Sequence, residues 1–173
     1  MNIDLKKLKD KKVAIILIGL PGSGKSTWIF ENILVRSDIL PYVVISSDDV
    51  LERIAKEKGL TYSDVFKDYI GQATAEMKSN FKSAIAEGKN IIWDQTNMSK
   101  KKRRGILAQI PADYYKIAVD FSVNPNELKR RLDERAKLTG KHIPWKIVED
   151  MGKNYQAPDK LEEGFDEIIK VKF

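Results

Sequence analysis

The chain has 173 residues, 42% of them hydrophobic, and it contains no cysteine. This length suits one domain with a buried core and is too short for a second sizeable enzyme module. The lack of cysteine excludes disulfides, thiolate zinc sites and thiol nucleophiles, and the net charge of +6 permits a polyanionic partner without requiring one. We therefore predict a single domain over residues 1–173.

The N-terminal segment, residues 1–12, is rich in lysine and lacks the apolar core of a signal peptide. The longest apolar run, residues 13–18, is far shorter than the roughly 20 residues that a membrane-spanning helix needs. We therefore expect a cytoplasmic protein with no membrane partner.

Apolar, β-branched runs recur along the chain, with helical patterns between nearly all of them. The runs cover residues 13–20, 42–46, 90–93, 115–123 and 167–173. Strands that alternate with helices are typical of a parallel sheet covered on both faces. The sequence thus predicts an α/β fold with a five-stranded parallel sheet flanked by helices.

A phosphate-binding motif directly follows the first run. Gly19-Leu20-Pro21-Gly22-Ser23-Gly24-Lys25-Ser26-Thr27 has the complete spacing G-x-x-x-x-G-K-S. Its glycines let successive backbone N–H groups point at an anion, and the following helix adds its positive end. Lys25 is expected to neutralise charge on the β- and γ-phosphates, and the hydroxyl of Ser26 is expected to bind Mg²⁺. ATP or another nucleoside triphosphate and Mg²⁺ are the predicted cofactors, and the predicted nucleotide-binding residues are Gly22, Ser23, Gly24, Lys25, Ser26 and Thr27.

Helix signals fill the first half of the chain. One helix should begin at Lys25 and run to about Arg36, and a second should follow residues 47–48. Apolar positions spaced three and four apart between Thr61 and Glu87 predict one long amphipathic helix, with Thr61 and Asp64 spaced as a capping box.

Two acidic residues, Asp48 and Asp49, end the second predicted strand. Ligands of open α/β sheets bind at the carboxyl ends of the strands, so an acid there should face the same crevice as the phosphate loop. We interpret Asp48 as the general base that takes the proton of an acceptor hydroxyl. The alternative is that Asp48 or Asp49 only caps the next helix, and we expect Asp49 to do so.

Asp94 ends the third predicted strand in a corresponding position. Such an acid can hold the magnesium shell through water or orient the acceptor, or it can simply be a turn residue. The basic run 100–104 begins the next helix. Its cleft side could hold a nucleic-acid backbone, although a solvated lysine-rich face is the commoner explanation. The predicted substrate-binding residues are Asp94, Asn97, Arg103 and Arg104.

A further helix should start at Asn124, with proline at its first position. Arg131 and Arg135 lie one turn apart on this helix and precede a looser segment, residues 138–144. We interpret residues 130–150 approximately as a helical lid whose closure brings both guanidinium groups onto the phosphates. The alternative is a solvated basic face paired with neighbouring acids.

Taken together, these motifs resemble those of the P-loop kinase group that includes phage-type polynucleotide 5′-kinases. The similarity lies in the phosphate loop through Trp28, in Ser47-Asp48-Asp49, in Asp94-Gln95-Thr96-Asn97, and in the arginine pattern of the lid. The resemblance implies transfer of the γ-phosphate of ATP to a 5′-hydroxyl of RNA or DNA. It implies catalytic roles for Lys25, Asp48, Arg131 and Arg135, with Asp48 as the base and Arg135 clamping the phosphates.

One position departs from this family pattern. Such kinases commonly have an arginine three residues after the base, to hold the phosphate of the acceptor, and this chain has Leu51 there. Arg103 or Arg104 could replace that contact. Otherwise the acceptor is a small alcohol, a nucleoside or a nucleotide sugar. The segment 94–97 with Arg103-Arg104, and the run from residues 129–131 to 164–168, also resemble the kinase-like domain of heterogeneous nuclear ribonucleoprotein U. This resemblance leaves open a nucleotide-gated RNA-binding module.

Overall fold

The computed structural model describes residues 3–36 and 41–173, except for the side chain of Arg36. Their strands form one sheet in the order β2-β3-β1-β4-β5, and every neighbouring pair is parallel. This confirms the predicted five-stranded parallel sheet. The strands are β1 Lys12–Ile18, β2 Tyr42–Ile45, β3 Asn90–Trp93, β4 Tyr114–Ser122 and β5 Glu167–Lys172.

Helices connect the strands and cover both faces of the sheet. The helix after the phosphate loop ends earlier than expected, at Asn32, and a short 3₁₀ helix, Leu34–Arg36, follows it. The α-helices are α1 Leu5–Leu8, α2 Lys25–Asn32, α3 Ser47–Lys58, α4 Tyr62–Ala86, α5 Lys100–Leu107, α6 Pro125–Thr139, α7 Trp145–Lys153 and α8 Lys160–Glu163.

Side-chain caps fix where three of these helices begin. The capping box of α4 is present, because Thr61 and Asp64 each accept a hydrogen bond from the other's backbone N–H. Helix α6 starts with Asn124 as its cap and proline at its first position, as predicted. The expectation that Asp49 caps α3 is wrong, because the hydroxyl of Ser46 accepts from the N–H of Asp49 at 3.2 Å.

The central strand β1 is buried on both faces. Its side chains at 13, 15 and 17 pack with α1 and α2, and those at 14, 16 and 18 pack with α4 and α5. Since successive residues of a strand face opposite sides, a continuous apolar run is what a doubly covered parallel strand requires. The core therefore forms two layers, one on each face of the sheet.

The carboxyl ends of the strands meet at one edge. Gly19, after β1, donates its N–H to the carbonyl of Thr96, and Asp94, after β3, donates to that of Ile45 at the end of β2. These bonds hold the three loops after β1, β2 and β3 side by side. Within the described residues, no helix combines the length and apolar character needed to cross a bilayer.

Candidate active site

The phosphate loop joins β1 to α2 through a backbone that only glycine adopts easily. Gly24, the residue before α2, has φ +95°, and a Cβ atom there would lie 2.9 Å from the ring of Phe173. The loop thus presents the N-terminus of α2, whose free N–H groups favour an anion.

Lys25, the first residue of α2, turns back over the loop. Its ammonium donates hydrogen bonds to the carbonyl oxygens of Gly19 and Leu20, both at 3.0 Å. Burial lowers the pKa of Lys25, while the carboxylates of Asp94 and Asp48 oppose that shift. The ammonium is therefore held against the loop, near enough to Asp94 and Asp48 for their charges to act on it.

Asp48 lies in the first turn of α3 and both of its carboxylate oxygens are bonded. The hydroxyl of Tyr62 donates to Oδ1 at 2.8 Å, and the ammonium of Lys141 donates to Oδ2 at 2.9 Å. Burial raises the pKa of Asp48, but the charge of Lys141 and the two hydrogen bonds outweigh it and hold that pKa below its usual value. The carboxylate is therefore ionised and oriented.

Asp94 has the opposite electrostatic balance. Its pKa is raised to about 6 in total: burial is the largest cause, the ammonium of Lys25 opposes it, and the neighbouring carboxylates Asp49 and Asp48 add to it. Two acids at one edge of the sheet thus differ in proton affinity, which is a feature of sites that transfer protons. A pKa near 6 lets Asp94 change its charge close to neutral pH.

The two arginines of α6 face the same region in different states. The Nε and Nη2 atoms of Arg135 are buried and have no hydrogen-bond partner among the described residues. Burial lowers the pKa of Arg135. Arg131 instead donates from Nε to Glu127 at 2.7 Å and places its guanidinium 5.1 Å from the ring centre of Phe173. An unpaired guanidinium such as that of Arg135 is a natural partner for phosphate oxygens.

One cavity of about 970 Å³ joins these groups. Helix α3, the loop after β3, helix α6 and the loop 140–144 surround it, and Phe173 lies at its wall. Such a volume accommodates a nucleotide-sized ligand. Of the sequence-predicted site residues, those in the cavity wall are Gly22, Gly24, Lys25, Ser26, Thr27, Asp48, Asp94, Arg131 and Arg135.

Arg103 is not available to a substrate, and its predicted role is wrong. Its side chain is fully buried and donates to both carboxylate oxygens of Glu163, at 2.7 and 2.9 Å. The remaining donors bond the carbonyls of Asn97, Met98 and Gln156, each at 2.9 Å. Every nitrogen of the guanidinium is used inside the protein.

Asn97 and Arg104 also lie outside the cavity wall. The predicted substrate contact of Asn97 is corrected because its side chain is buried, whereas that of the exposed Arg104 stays a prediction. Asn97 is fully buried, and its side-chain amide donates to the carbonyl of Leu17 at 2.7 Å, which ties the loop after β3 to β1. Arg104 is exposed and bonds Glu162. The side chain of Ser23, in the phosphate loop, is buried and is not part of the wall, so its predicted nucleotide contact, which rests on the backbone N–H, stays a prediction.

Several polar residues of the cavity were not singled out as site residues by the sequence analysis. Lys102 lies in the wall, whereas its neighbour Arg103 is on the buried side of α5 with Ile106 and Leu107. That i, i+3, i+4 spacing is a signal that could have revealed the buried side. Tyr62 and Lys141 had no such signal, because their contacts with Asp48 join distant parts of the chain. Glu52 bonds Lys141, and that contact likewise forms only in the folded protein.

The oxygen groups fit a magnesium ion that is bound mainly by phosphate. Ser26, in the first turn of α2, lines the cavity beside the phosphate loop. Over residues 3–36 and 41–173 there is no group of three or more histidines and acids that could hold a metal by themselves. Magnesium commonly binds through one or two protein oxygens together with substrate phosphates, and this donor set suits that mode.

Comparison with known proteins adds a family and several relatives. Residues 15–158 match the family model described as AAA domain. Heterogeneous nuclear ribonucleoprotein U-like protein 2 of Mus musculus is 29% identical over 154 residues, which is 86% of this chain, and the Homo sapiens protein matches to the same extent. The chain spans only 20% of the length of these two relatives.

Solved structures share the fold. A chain of the Pnkp1/Rnl/Hen1 RNA repair complex superposes with a TM-score of 0.63 and 25% identity, over 93% of this chain and 49% of that one. A gluconokinase from Sinorhizobium meliloti 1021 superposes with a TM-score of 0.53 and 17% identity, over 93% of this chain and 82% of that one. The fold is that of P-loop kinases.

Proposed function

Since this chain belongs to the AAA domain family and has the P-loop kinase fold, we propose that it transfers the γ-phosphate of ATP to a hydroxyl group. One observation carries this proposal: the phosphate loop, the oriented carboxylate of Asp48 and the unpaired guanidinium of Arg135 share a single cavity. A phosphoryl transferase needs a loop that binds the phosphates, a base that takes the proton of the acceptor hydroxyl, and positive charge around the transferred phosphate.

The transfer exchanges one bond to phosphorus for another. The acceptor oxygen forms a bond to the γ-phosphorus while the bond from phosphorus to the bridging β–γ oxygen breaks, and ADP leaves. The hydroxyl proton passes to the carboxylate of Asp48. Lys25 and Arg135 stabilise the negative charge on the phosphate oxygens, with Arg131 beside them. Magnesium, when bound at Ser26 and the phosphates, neutralises part of the same charge.

For the acceptor we propose the 5′-hydroxyl of RNA or DNA. The 25% identity with a chain of an RNA repair complex supports it, and so does Lys102, which places a cation in the cavity wall. Lys102→Ala should weaken oligonucleotide binding and reduce the slope of log K against log salt concentration by about one. The neighbouring Lys101→Ala is the matched control, because Lys101 is exposed and not part of the wall.

A small hydroxyl compound is the second candidate acceptor, and a specific observation favours it. Leu51, at the position of the family's acceptor arginine, is fully buried in the cluster between α3 and α4, and Arg103 is used internally. Beside Asp48, the cavity wall instead contains Asp49 and Glu52, whose negative charge disfavours a polyanion.

A label-transfer assay distinguishes these acceptors. Protein, Mg²⁺ and γ-labelled ATP are incubated in parallel with 5′-hydroxyl RNA, with 5′-hydroxyl DNA and with a pool of sugars, polyols and nucleosides. Label on an oligonucleotide supports the first candidate, and label only on a small compound supports the second. Asp48→Asn should abolish transfer while ATP still binds, whereas Lys25→Ala should also weaken ATP binding.

Absence of transfer to every acceptor contradicts the kinase proposal. If ATP nevertheless changes the affinity for RNA, the chain acts instead as a nucleotide-gated RNA-binding module.

A further inference from the structure

The buried lysine of the lid loop contacts the candidate base directly. Lys141 lies between α6 and α7, and only 8% of its side chain is exposed. Its ammonium donates to Asp48 at 2.9 Å and to Glu52 at 3.0 Å, and it lies 4.1 Å from the ring centre of Tyr62. This cation therefore bonds two acids of α3 and contacts an aromatic ring of α4.

The surrounding loop is fastened so that Lys141 reaches this position. The hydroxyl of Ser63 donates to the carbonyl of Gly140 at 2.8 Å, and the N–H of His142 donates to that same hydroxyl at 3.1 Å. Gly140 has φ +70°, and a Cβ atom there would lie 2.7 Å from the methyl group of Thr61. The loop thus rests on the start of α4 with both neighbours of Lys141 bonded.

The charges around Lys141 explain why a lysine is tolerated there. A buried ammonium is stable only when opposite charges and hydrogen bonds replace its water. Asp48 and Glu52 do so, yet the side chains of both acids remain about half exposed. The lysine is more deeply buried than the acids it bonds, and its loop is bonded to α4, so it can restrict the carboxylate of Asp48.

We propose that Lys141 is a positioning residue for the general base: with Tyr62, it clamps the carboxylate of Asp48 in the orientation that receives the acceptor proton whenever the lid loop rests on α4. This inference depends on the proposed transferase function. It adds a residue that acts through Asp48 without touching the reacting atoms, and it couples the lid to the base as well as to the phosphates.

Several charged or titratable groups face Asp48 from the elements packed around it. Burial raises the pKa of Asp48, and the charge of Lys141 is the largest of the effects that lower it. Removing the ammonium should therefore raise the pKa of Asp48. The facing groups are Lys25 of α2, Asp49 and Glu52 of α3, Tyr62 of α4, Asp94 after β3, Arg135 of α6 and Lys141.

The pH profile of transfer tests this role. Lys141→Met should lower kcat by about 10²-fold, since a displaced catalytic group can cost that much, while KM for ATP changes little. The acid limb of the kcat/KM profile should move to higher pH, and Lys141→Arg should restore most of the rate and the limb. Lys146→Met is the matched control, because Lys146 is an exposed lid lysine that bonds Asp150 and does not contact Asp48 among the described residues. An unmoved acid limb in Lys141→Met overturns the inference.

A direct titration separates this inference from the kinase proposal. The carboxyl carbon of Asp48 is followed by ¹³C NMR in protein without substrate, with circular dichroism to verify folding. Lys141→Met should raise the titration midpoint of Asp48, and Glu52→Gln should lower it, because a neighbouring negative charge is removed while Lys141 stays. If both shifts occur but no acceptor is phosphorylated, the kinase proposal fails and takes the positioning role with it, although the contact between Lys141 and Asp48 is verified. If neither shift occurs, the clamp fails even in an active kinase.

Discussion

The surroundings of the Arg135 side chain indicate a binding site for an anion. Two of its nitrogens are buried without a partner in the part of the chain that the structure describes, whereas Arg130, on the same helix, pairs with Glu127 and Glu134 at the surface. A buried unpaired donor destabilises a fold by about 1–3 kcal/mol, and by more when it is charged. Its presence beside the phosphate loop is therefore best explained by an anionic ligand.

We expect Arg135→Ala to lower kcat/KM for transfer by about 10²–10³-fold, the effect of removing one preorganised donor to a developing charge. The free protein should be as stable as before or more stable, because the unpaired donors disappear. Steady-state kinetics and urea unfolding measure the two effects. Arg130→Ala is the control, and an equal loss of activity in both variants would contradict the assignment.

Asp94 illustrates a functional group held at an energetic cost. Its pKa is raised to about 6 from 3.8, so the folded protein binds more protons than the unfolded chain between these values. Stability from this group is therefore greatest at the acid end and is lost as the pH rises through about 6. At neutral pH the buried carboxylate destabilises the fold by at most about 3 kcal/mol, at 1.36 kcal/mol per pKa unit.

Asp94→Asn should consequently stabilise the protein at pH 7, with little effect at pH 4, while it impairs transfer. Urea unfolding at both pH values tests the sign. A variant that is less stable at pH 7 than the native protein would show that the carboxylate makes compensating contacts.

At the scale of elements, α5 shows both the reach and the limit of sequence reasoning. The cap Ser99 and the start of the helix follow from local rules, and the apolar positions Ile106 and Leu107 indicate the buried side. Five consecutive cations look equivalent in sequence, however. Arg103 became structural because Glu163 lies beside it, sixty residues away along the chain. Spacing along one helix cannot supply such a partner.

The loop between α6 and α7 provides the corresponding prediction for an element. Gly140→Ala should destabilise the protein by about 1–3 kcal/mol and reduce kcat, because the new methyl group combines a left-handed backbone with a contact on Thr61. Gly59→Ala has a similar φ of +67° but open space around it, so it should cost only about 1 kcal/mol.

Urea unfolding and the transfer rate are measured for both glycine variants. An unchanged rate in Gly140→Ala would mean that the seating of the loop on α4 does not affect the site.

For the whole molecule, the sequence was sufficient for the sheet and insufficient for the far side of the site. The five strands and the phosphate loop follow from β-branched runs and glycine spacing, which are local. The environment of Asp48 instead depends on Tyr62 and Lys141, which approach it from different helices and loops. This convergence depends on how the elements pack together, and packing cannot be inferred from any single segment of the sequence.

The Arg103–Glu163 pair makes a prediction about global stability. Arg103→Met should destabilise the protein by about 3–5 kcal/mol, because it leaves the carboxylate of Glu163 buried and unpaired. Arg104→Met removes an exposed cation that pairs loosely with Glu162, and it should change stability by less than about 1 kcal/mol. Chemical denaturation distinguishes them, and similar values for both would contradict the structural role given to Arg103.

Arg103 also holds the carbonyl of Gln156, just beyond α7, against the loop that follows β3. The other end of the α6–α7 region is continuous with β4 through Asn124. The α6–α7 region is thus anchored at both ends, and its middle is held to α4 and α3 through the contacts of Gly140, Lys141 and His142 described above. We expect an acceptor to enter when the contacts near residue 140 open. A crosslink between residue 140 and α4 should therefore block entry while leaving both ends of the region undisturbed.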